Sequence, residues 1–171
     1  LNDDYASVPA EMKAVARFFC FVVLCGLTKD EIIDRTGELR KVVGDRAVLR
    51  ALHFISENER VCRISEYIAK GDIKGFLSVI NESGRSSATL LQNYYSTKAP
   101  SEQGIGLACA IAESVMEGDG ACRVHGGGFA GTAQVFVPAD KEEKFIRAME
   151  CAFGKGSAVR LMVRPVGAVK V

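Results

Sequence analysis

The chain has 171 residues, of which 48% are hydrophobic and 25% are charged, which is ordinary for a soluble folded domain. Its 22 lysines and arginines balance 21 acidic residues, and no block of like charge appears. This balance argues against a nucleic-acid-binding protein and against a protein that binds a membrane surface.

The cysteines and histidines do not suggest a metal site. The six cysteines contain no CxxC pair, and two histidines cannot complete a zinc-binding set at recognised spacing. We predict buried, reduced thiols in a cytoplasmic protein, with disulfides as the less favoured alternative.

The longest apolar run, Phe18 to Leu27, is half as long as the roughly 20 residues that a transmembrane helix needs. It is therefore predicted to be a buried element. The chain begins with Leu1 and shows no signal peptide. We expect it to be a piece of a longer protein.

Four helices are predicted in the first part of the chain. Their expected starts and ends are Pro9 to about Phe21 with Ser7 as the cap, Thr28 to about Gly37–Gly44 with a capping box, Asp45 to Gly71, and Asp72 toward Leu91.

The second part mixes helices and strands. A helix is predicted from Pro100 or Ser101 through Met116, then strands at 121–125 and 132–138, a helix at 139–154 capped by Asp140, and a third strand at 157–165. The predicted class is α+β, an antiparallel sheet covered by several helices.

A glycine-rich loop separates the first two strands. Gly126, Gly127 and Gly128 are consecutive, and Gly131 follows. Such a loop can bring bare backbone close to a phosphate, although the spacing fits neither of the two best-known phosphate loops. A tight hairpin whose glycines only supply positive φ is the alternative, and the residues alone favour it.

At this loop the sequence resembles a known family. The stretch "CRVHGGGFAGTAQVFVP" resembles the third signature motif of galactokinases, members of the kinase superfamily that includes homoserine, mevalonate and phosphomevalonate kinases. Further matches, in family order, are "DDYASVPAEMKAVARFF", "LRALHFISENERV" and "AKGDIKGFLSVINES". The resemblance implies that residues 1–171 are the C-terminal domain of a galactokinase-like sugar kinase, with a ferredoxin-like sheet.

The resemblance also implies a division of labour. ATP and Mg²⁺ would be bound mainly by an N-terminal catalytic half absent from this chain, so the chain alone should be inactive. This chain would contribute no catalytic residue and no metal ligand. It would supply a sugar contact at Tyr5 and an active-site loop made of His125, Gly126, Gly127, Gly128, Phe129 and Gly131. The expected partners are the sugar, ATP and the N-terminal domain, with self-association of the isolated chain.

Some residues depart from the family pattern. His125 stands where threonine is usual, Ala130 where glycine is usual and Thr132 where cysteine is frequent, so the identity of the sugar stays open. His125 could titrate beside a phosphate or be a hydrogen-bonded residue at the loop edge. His53 and Glu57 have metal-ligand spacing, but a helix-surface pair is favoured.

Two other functions remain open at this point. One is a sugar- or nucleotide-binding homologue without catalytic activity. The other is an independent ferredoxin-like regulatory domain, which would explain the last fifty residues but not the helices before them.

Overall fold

Helices make up most of the computed structural model, which describes residues 1–162 and residue 166. The helices are α1 Asn2–Phe18, α2 Lys29–Asp34, α3 Thr36–Val43, α4 Asp45–Lys70, α5 Ile73–Ser86, α6 Gly104–Met116 and α7 Glu142–Phe153. Strands β1 Ala121–His125 and β2 Thr132–Phe136 form an antiparallel pair. The predicted α+β class is confirmed. Within the described residues, no helix combines the length and apolarity that crossing a membrane requires.

Several helix ends follow directly from local sequence. The Thr28 side chain accepts a hydrogen bond from the Glu31 N–H, and the Glu31 carboxylate accepts in return from the Thr28 N–H, so the predicted capping box is present. Gly71 ends α4 in the left-handed conformation, and Asp72 caps α5 by accepting from the Gly75 N–H.

Other predicted helix boundaries were wrong. Helix α1 already begins at Asn2, so Pro9 lies inside it, and Ser7 donates to the Asp4 carbonyl instead of capping. Gly44, not Asp45, is the N-cap residue of α4, and Asp45 pairs with Arg40. Near Asp140 the chain forms a 3-10 turn, Ala139–Lys141, and the side chain makes no cap. None of these three side chains caps the helix whose start it was predicted to mark.

Two groups of buried apolar residues form the core. The first lies among α1 to α4 and includes Val15, Ile32, Leu39 and Ala51. The second lies among α6, α7 and the two strands and includes Ala112, Val124 and Met149. Helix α5, which contacts both α4 and β1, joins the helical part to the hairpin.

Small and polar residues let α5 lie directly against β1. A Cβ built on Gly84 would stand 2.5 Å from the carbonyl oxygen of Cys122. The Asn81 amide completes the contact, because its Nδ2 donates to Gly120 O and its Oδ1 accepts from the Cys122 N–H, both at 3.0 Å. These contacts fix β1, and therefore the start of the glycine loop, relative to α5.

The apolar run from Phe18 to Leu27 is not the buried element that its composition predicts. Leu24 and Leu27 are buried, whereas Phe21, Val22 and Val23 are 44%, 83% and 51% exposed. The segment lies in the turn between α1 and α2. Because a turn presents side chains in several directions, only part of it can face the core.

The predicted third strand is absent from residues 157–162, which adopt no helix or strand. Val159, Leu161 and Met162 are 75%, 85% and 89% exposed. An alternating pattern becomes a strand only when it has a neighbour to pair with. The rest of the prediction, residues 163–165, lies outside the described residues.

The cysteine prediction also needs correction. All six thiols are free, but only Cys109 and Cys122 are buried. The other four are exposed because they lie in the turn after α1 or on outward-facing helix positions: Cys20, Cys25, Cys62 and Cys151.

Candidate functional site

The glycine-rich loop connects two short strands. The pairing runs from Ala121 opposite Phe136 to His125 opposite Thr132, which leaves residues 126–131 as the connection. The strands form where they were predicted, since β-branched and apolar residues alternate on both sides of the glycines. Three residues of the connection have positive φ: Gly126 at 73°, Gly128 at 81° and Phe129 at 61°.

Asn93 anchors the middle of this loop. It is 2% exposed and follows the π-helical turn Ser87–Leu91 that extends α5. Its carbonyl oxygen accepts from the Phe129 N–H at 2.5 Å, and its Nδ2 donates to the Gly127 carbonyl at 3.1 Å. Among the described residues, its Oδ1 has no hydrogen-bond partner. The loop is therefore held from outside the hairpin by one buried residue.

Tyr5 holds the same loop from a second direction. Its hydroxyl donates to the Gly128 carbonyl at 2.8 Å, and its ring packs edge-on against Phe129 with centroids 5.3 Å apart. Phe129 is 6% exposed, whereas Tyr5 is 41% exposed. The structure thus brings Tyr5 and the glycine loop together across 123 positions of sequence.

These two contacts account for two of the glycines. A Cβ on Gly127 would stand 2.6 Å from Tyr5 Cε1, and a Cβ on Gly128 would stand 2.2 Å from the Asn93 carbonyl oxygen. Real Cβ atoms do not approach other heavy atoms so closely. Glycine is needed at both positions because the Tyr5 ring and the Asn93 backbone already occupy the space that a Cβ atom would take.

The outer side of the loop is open. Among the described residues, and leaving out its two chain neighbours, no atom lies within 4 Å of a Cβ built on Gly126, and the nearest atom to one built on Gly131 is 3.9 Å away. His125 and Gly126 are both exposed. Within the described residues, no three His, Cys, Asp or Glu side chains are grouped so that they could hold a metal ion. What the open side offers a ligand is backbone and the His125 imidazole.

The start of α1, which carries Tyr5, is fixed by polar contacts. Asp4 is buried and accepts from Ser96 Oγ at 2.7 Å, and Asp3 pairs with Lys98. Because Asn93, Ser96 and Lys98 belong to one connecting segment, the same segment positions both Tyr5 and the loop.

Arg50 ties that segment to the helices beneath it. Its side chain is 2% exposed and donates to Ser7 Oγ, Glu11 Oε2 and the Leu91 carbonyl at 2.8, 2.9 and 3.1 Å. Burial lowers the pKa of Arg50, although the charge of Glu11 opposes this effect. One buried guanidinium therefore joins α1, α4 and the turn that leads to Asn93.

His53 and Glu57 are not the surface pair that their spacing favours. Both face α5: His53 Nδ1 lies 2.9 Å from Ser86 Oγ, and Glu57 Oε1 accepts from Ser83 Oγ at 2.5 Å. Glu57 also pairs with Arg60 at 2.7 Å and with Arg123 of β1 at 3.4 Å. Ser83 and Ser86 of α5 are small enough to allow this packing. His53 and Glu57 therefore take part in a polar contact between α4, α5 and β1.

Burial, hydrogen bonds and neighbouring charges together set the protonation of this network. Burial lowers the pKa of His53, an effect that Glu57 opposes and the charges of Arg60 and Arg123 increase. Burial alone would raise the pKa of Glu57, but the hydrogen bonds from Ser83 and Arg60 and the two arginine charges outweigh it. The pKa of Glu57 therefore lies below its ordinary value, and Glu57 stays ionised as the hub of the network.

The structure brings together every loop residue named from the sequence, together with Tyr5. Asn93 was missed, because it lies in the polar stretch "QNYYSTKAPSEQG", whose composition suggests only an exposed connection. The sole hint was its position between the apolar Leu90 and Leu91 and the aromatic Tyr94 and Tyr95.

Comparison with known proteins finds galactokinases as relatives. No family model matches the chain. It is 27% identical over 160 residues to a galactokinase of Actinobacillus pleuropneumoniae, covering 94% of this chain and 40% of the relative. It is 31% identical over 132 residues to a galactokinase of Enterococcus faecalis, covering 72% of this chain and 32% of the relative.

A solved structure has a similar fold. The crystal structure of Lactococcus lactis galactokinase complexed with galactose matches with a TM-score of 0.63 at 22% identity, over 86% of this chain and 35% of that chain. The chain thus spans 40% or less of the length of these relatives. The resemblance to the C-terminal part of galactokinases is confirmed, and it extends over nearly all of this chain.

Proposed function

We propose that this chain is the C-terminal domain of an ATP-dependent sugar kinase of the galactokinase type, which phosphorylates galactose or a related sugar. The observation that carries the proposal is the similarity to curated galactokinases over 94% of the chain. In this reaction the γ-phosphoryl group of ATP moves to a sugar hydroxyl. The protein mainly positions the reactants, and Mg²⁺ neutralises charge on the phosphates.

The role of this domain is to form one wall of the active cleft. Tyr5 and Asn93 hold the glycine loop from one side, and a reactant approaches from the other side, which is open at His125, Gly126 and Gly131 among the described residues. Exposed backbone without Cβ atoms suits close approach of a phosphate or a sugar hydroxyl. The chain contributes no catalytic side chain, and ATP and Mg²⁺ are bound mainly by the N-terminal half.

The apolar side chains exposed after α1 form a surface suited to contact with another domain. Phe21, Val22 and Val23 are adjacent in sequence and exposed to solvent. Contiguous exposed apolar surface favours association. We propose that the N-terminal domain covers this segment in a cytoplasmic parent protein and that the isolated chain self-associates through it.

An assay of ADP formation tests the proposal. The 171-residue chain and the full-length protein that contains it are each incubated with MgATP and galactose, or with a panel of other sugars. We expect sugar-dependent ADP formation from the full-length protein and none from the chain alone. Turnover by the chain alone would contradict the proposed division of labour.

Binding measurements separate the competing functions. If the full-length protein binds a sugar or ATP calorimetrically but forms no ADP, it is a binding homologue that has lost catalysis. If it neither binds nor turns over any sugar tested, the sugar-kinase assignment fails.

A further inference from the structure

Two buried thiols from separate elements lie in contact. Cys109 of α6 and Cys122 of β1 have sulfur atoms 2.9 Å apart and are 7% and 4% exposed. The remaining four cysteines are all exposed. These two thiols therefore already have the proximity that a covalent bond between them requires.

The surroundings make the two thiols unequal. The Cys122 thiol donates to Cys109 Sγ, and the Tyr94 hydroxyl lies 3.9 Å from the same sulfur. The hydrogen bond from Cys122 lowers the pKa of Cys109, although burial opposes this, whereas the pKa of Cys122 is raised. Since a thiolate is the nucleophilic form, the sulfur that ionises first attacks and the other reacts second; both line the cavity described next.

A cavity gives small molecules access to the pair. It has a volume of about 200 Å³ and is lined by both cysteines together with Tyr94, Gly106, Asn81 and Arg85. A water molecule occupies roughly 30 Å³, so the cavity has room for a molecule the size of hydrogen peroxide.

We propose that Cys109 and Cys122 form a reversible dithiol–disulfide site that a small hydroperoxide oxidises through this cavity. With hydrogen peroxide, the thiolate of one cysteine attacks one peroxide oxygen, the O–O bond breaks, and the departing hydroxide leaves as water after protonation. The sulfur of the other cysteine then attacks the resulting sulfenic acid, the S–S bond forms, the S–O bond breaks, and a second water leaves. Two thiols lose two electrons and two protons, and hydrogen peroxide is reduced to two waters.

The bond would connect α6 to the strand that leads into the glycine loop. Because β1 ends only three residues after Cys122, the disulfide would restrain the base of the loop. A cross-link of this kind also restricts the unfolded chain, so the oxidised form should unfold at a higher temperature. This inference is independent of the proposed sugar-kinase function.

A variant that retains only this pair provides the test. Cys20, Cys25, Cys62 and Cys151 are replaced by serine, the folded chain is treated with hydrogen peroxide, and thiols are then alkylated with N-ethylmaleimide in denaturant. We expect a mass loss of about 2 Da without alkylation, and two adducts after reduction with dithiothreitol. Two adducts directly after peroxide, or only added oxygen, would overturn the proposal.

Two controls establish which sulfur atoms form the bond. Adding Cys109→Ser to the same variant should leave one alkylated thiol and no intramolecular disulfide. Should the four-serine variant fail to fold, the wild-type chain is oxidised and digested without reduction. A Cys109–Cys122 cross-linked peptide is then expected, and cross-links confined to the exposed cysteines would refute the site.

Discussion

Gly128 lies so close to Asn93 that a Cβ atom on Gly128 would stand 2.2 Å from the Asn93 carbonyl oxygen and 2.6 Å from its Nδ2. The carbonyl oxygen of the same glycine accepts a hydrogen bond from the Tyr5 hydroxyl. One residue of the loop is thus held between α1 and the segment after α5, and these contacts fix the shape of the loop.

Gly128→Ala should therefore destabilise the chain. The substitution adds a clash to a residue at φ +81°, and strain at such positions costs on the order of 1–3 kcal/mol. The unfolding free energy is measured by urea titration. Gly131→Ala is the matched control, because its nearest contact would be 3.9 Å away; equal stability of the two variants would contradict the clash.

Gly127→Val should disturb the loop through Tyr5. The new Cβ would meet the Tyr5 ring at 2.6 Å, and since Tyr5 is 41% exposed the ring can swing outward rather than unfold the chain. We expect a folded variant whose full-length form phosphorylates its sugar more slowly. A double-mutant cycle checks the cause: Tyr5→Ala should reduce the stability cost of Gly127→Val, and strict additivity would exclude Tyr5 as the obstacle.

Tyr5→Phe removes the hydroxyl that donates to the Gly128 carbonyl. A lost hydrogen bond of this kind costs about 0.5–1.5 kcal/mol of stability. In the full-length protein we also expect a higher KM for the sugar and a KM for ATP close to that of the wild type. Unchanged KM and kcat for the sugar would leave Tyr5 with the structural role alone.

Gly84→Ala should loosen the contact between α5 and β1. Its Cβ would stand 2.5 Å from the backbone carbonyl of Cys122, which cannot move without displacing the strand, and overpacking of this type costs about 1–3 kcal/mol. Gly104→Ala is the control, since a Cβ there has no neighbour within 4 Å outside its own helix among the described residues and alanine favours helix. Thermal unfolding should show a lower Tm for the first variant and an equal or higher Tm for the second.

Stability should fall when the solution is acidified from about pH 7 toward about pH 5. Burial lowers the pKa of His53 in the folded chain, so the unfolded chain binds the proton more readily. The stabilisation is complete above the ordinary histidine pKa of about 6.5 and is lost as the pH falls toward the lower folded value.

Urea midpoints across this range provide the measurement. His53→Gln should flatten the pH dependence of stability, because it removes the buried imidazole that gains a proton on acidification. His125→Gln should retain the contribution of His53, since it leaves the network with Ser86, Glu57 and Arg60 intact. A profile that flattens with His125→Gln and not with His53→Gln would contradict this assignment.

The sequence by itself determined the local elements. Thr28, Gly71 and Asp72 mark helix ends because their effects act over three or four residues, and the alternation on each side of Gly126–Gly128 is enough to place β1 and β2. The resemblance to galactokinases was also available from the sequence, because it depends on motifs and their order.

Only the tertiary structure decided what those elements contact. Whether Phe21 to Val23 are buried, whether His53 faces solvent, and why Gly127 and Gly128 lack side chains all depend on residues far away along the chain. Asn93 shows this most clearly, since a polar residue in a polar connection carries no local sign of burial. It became the anchor of the loop because α5 and its π-helical turn deliver it beside the hairpin, and its buried hydrogen bonds form only after both parts have packed.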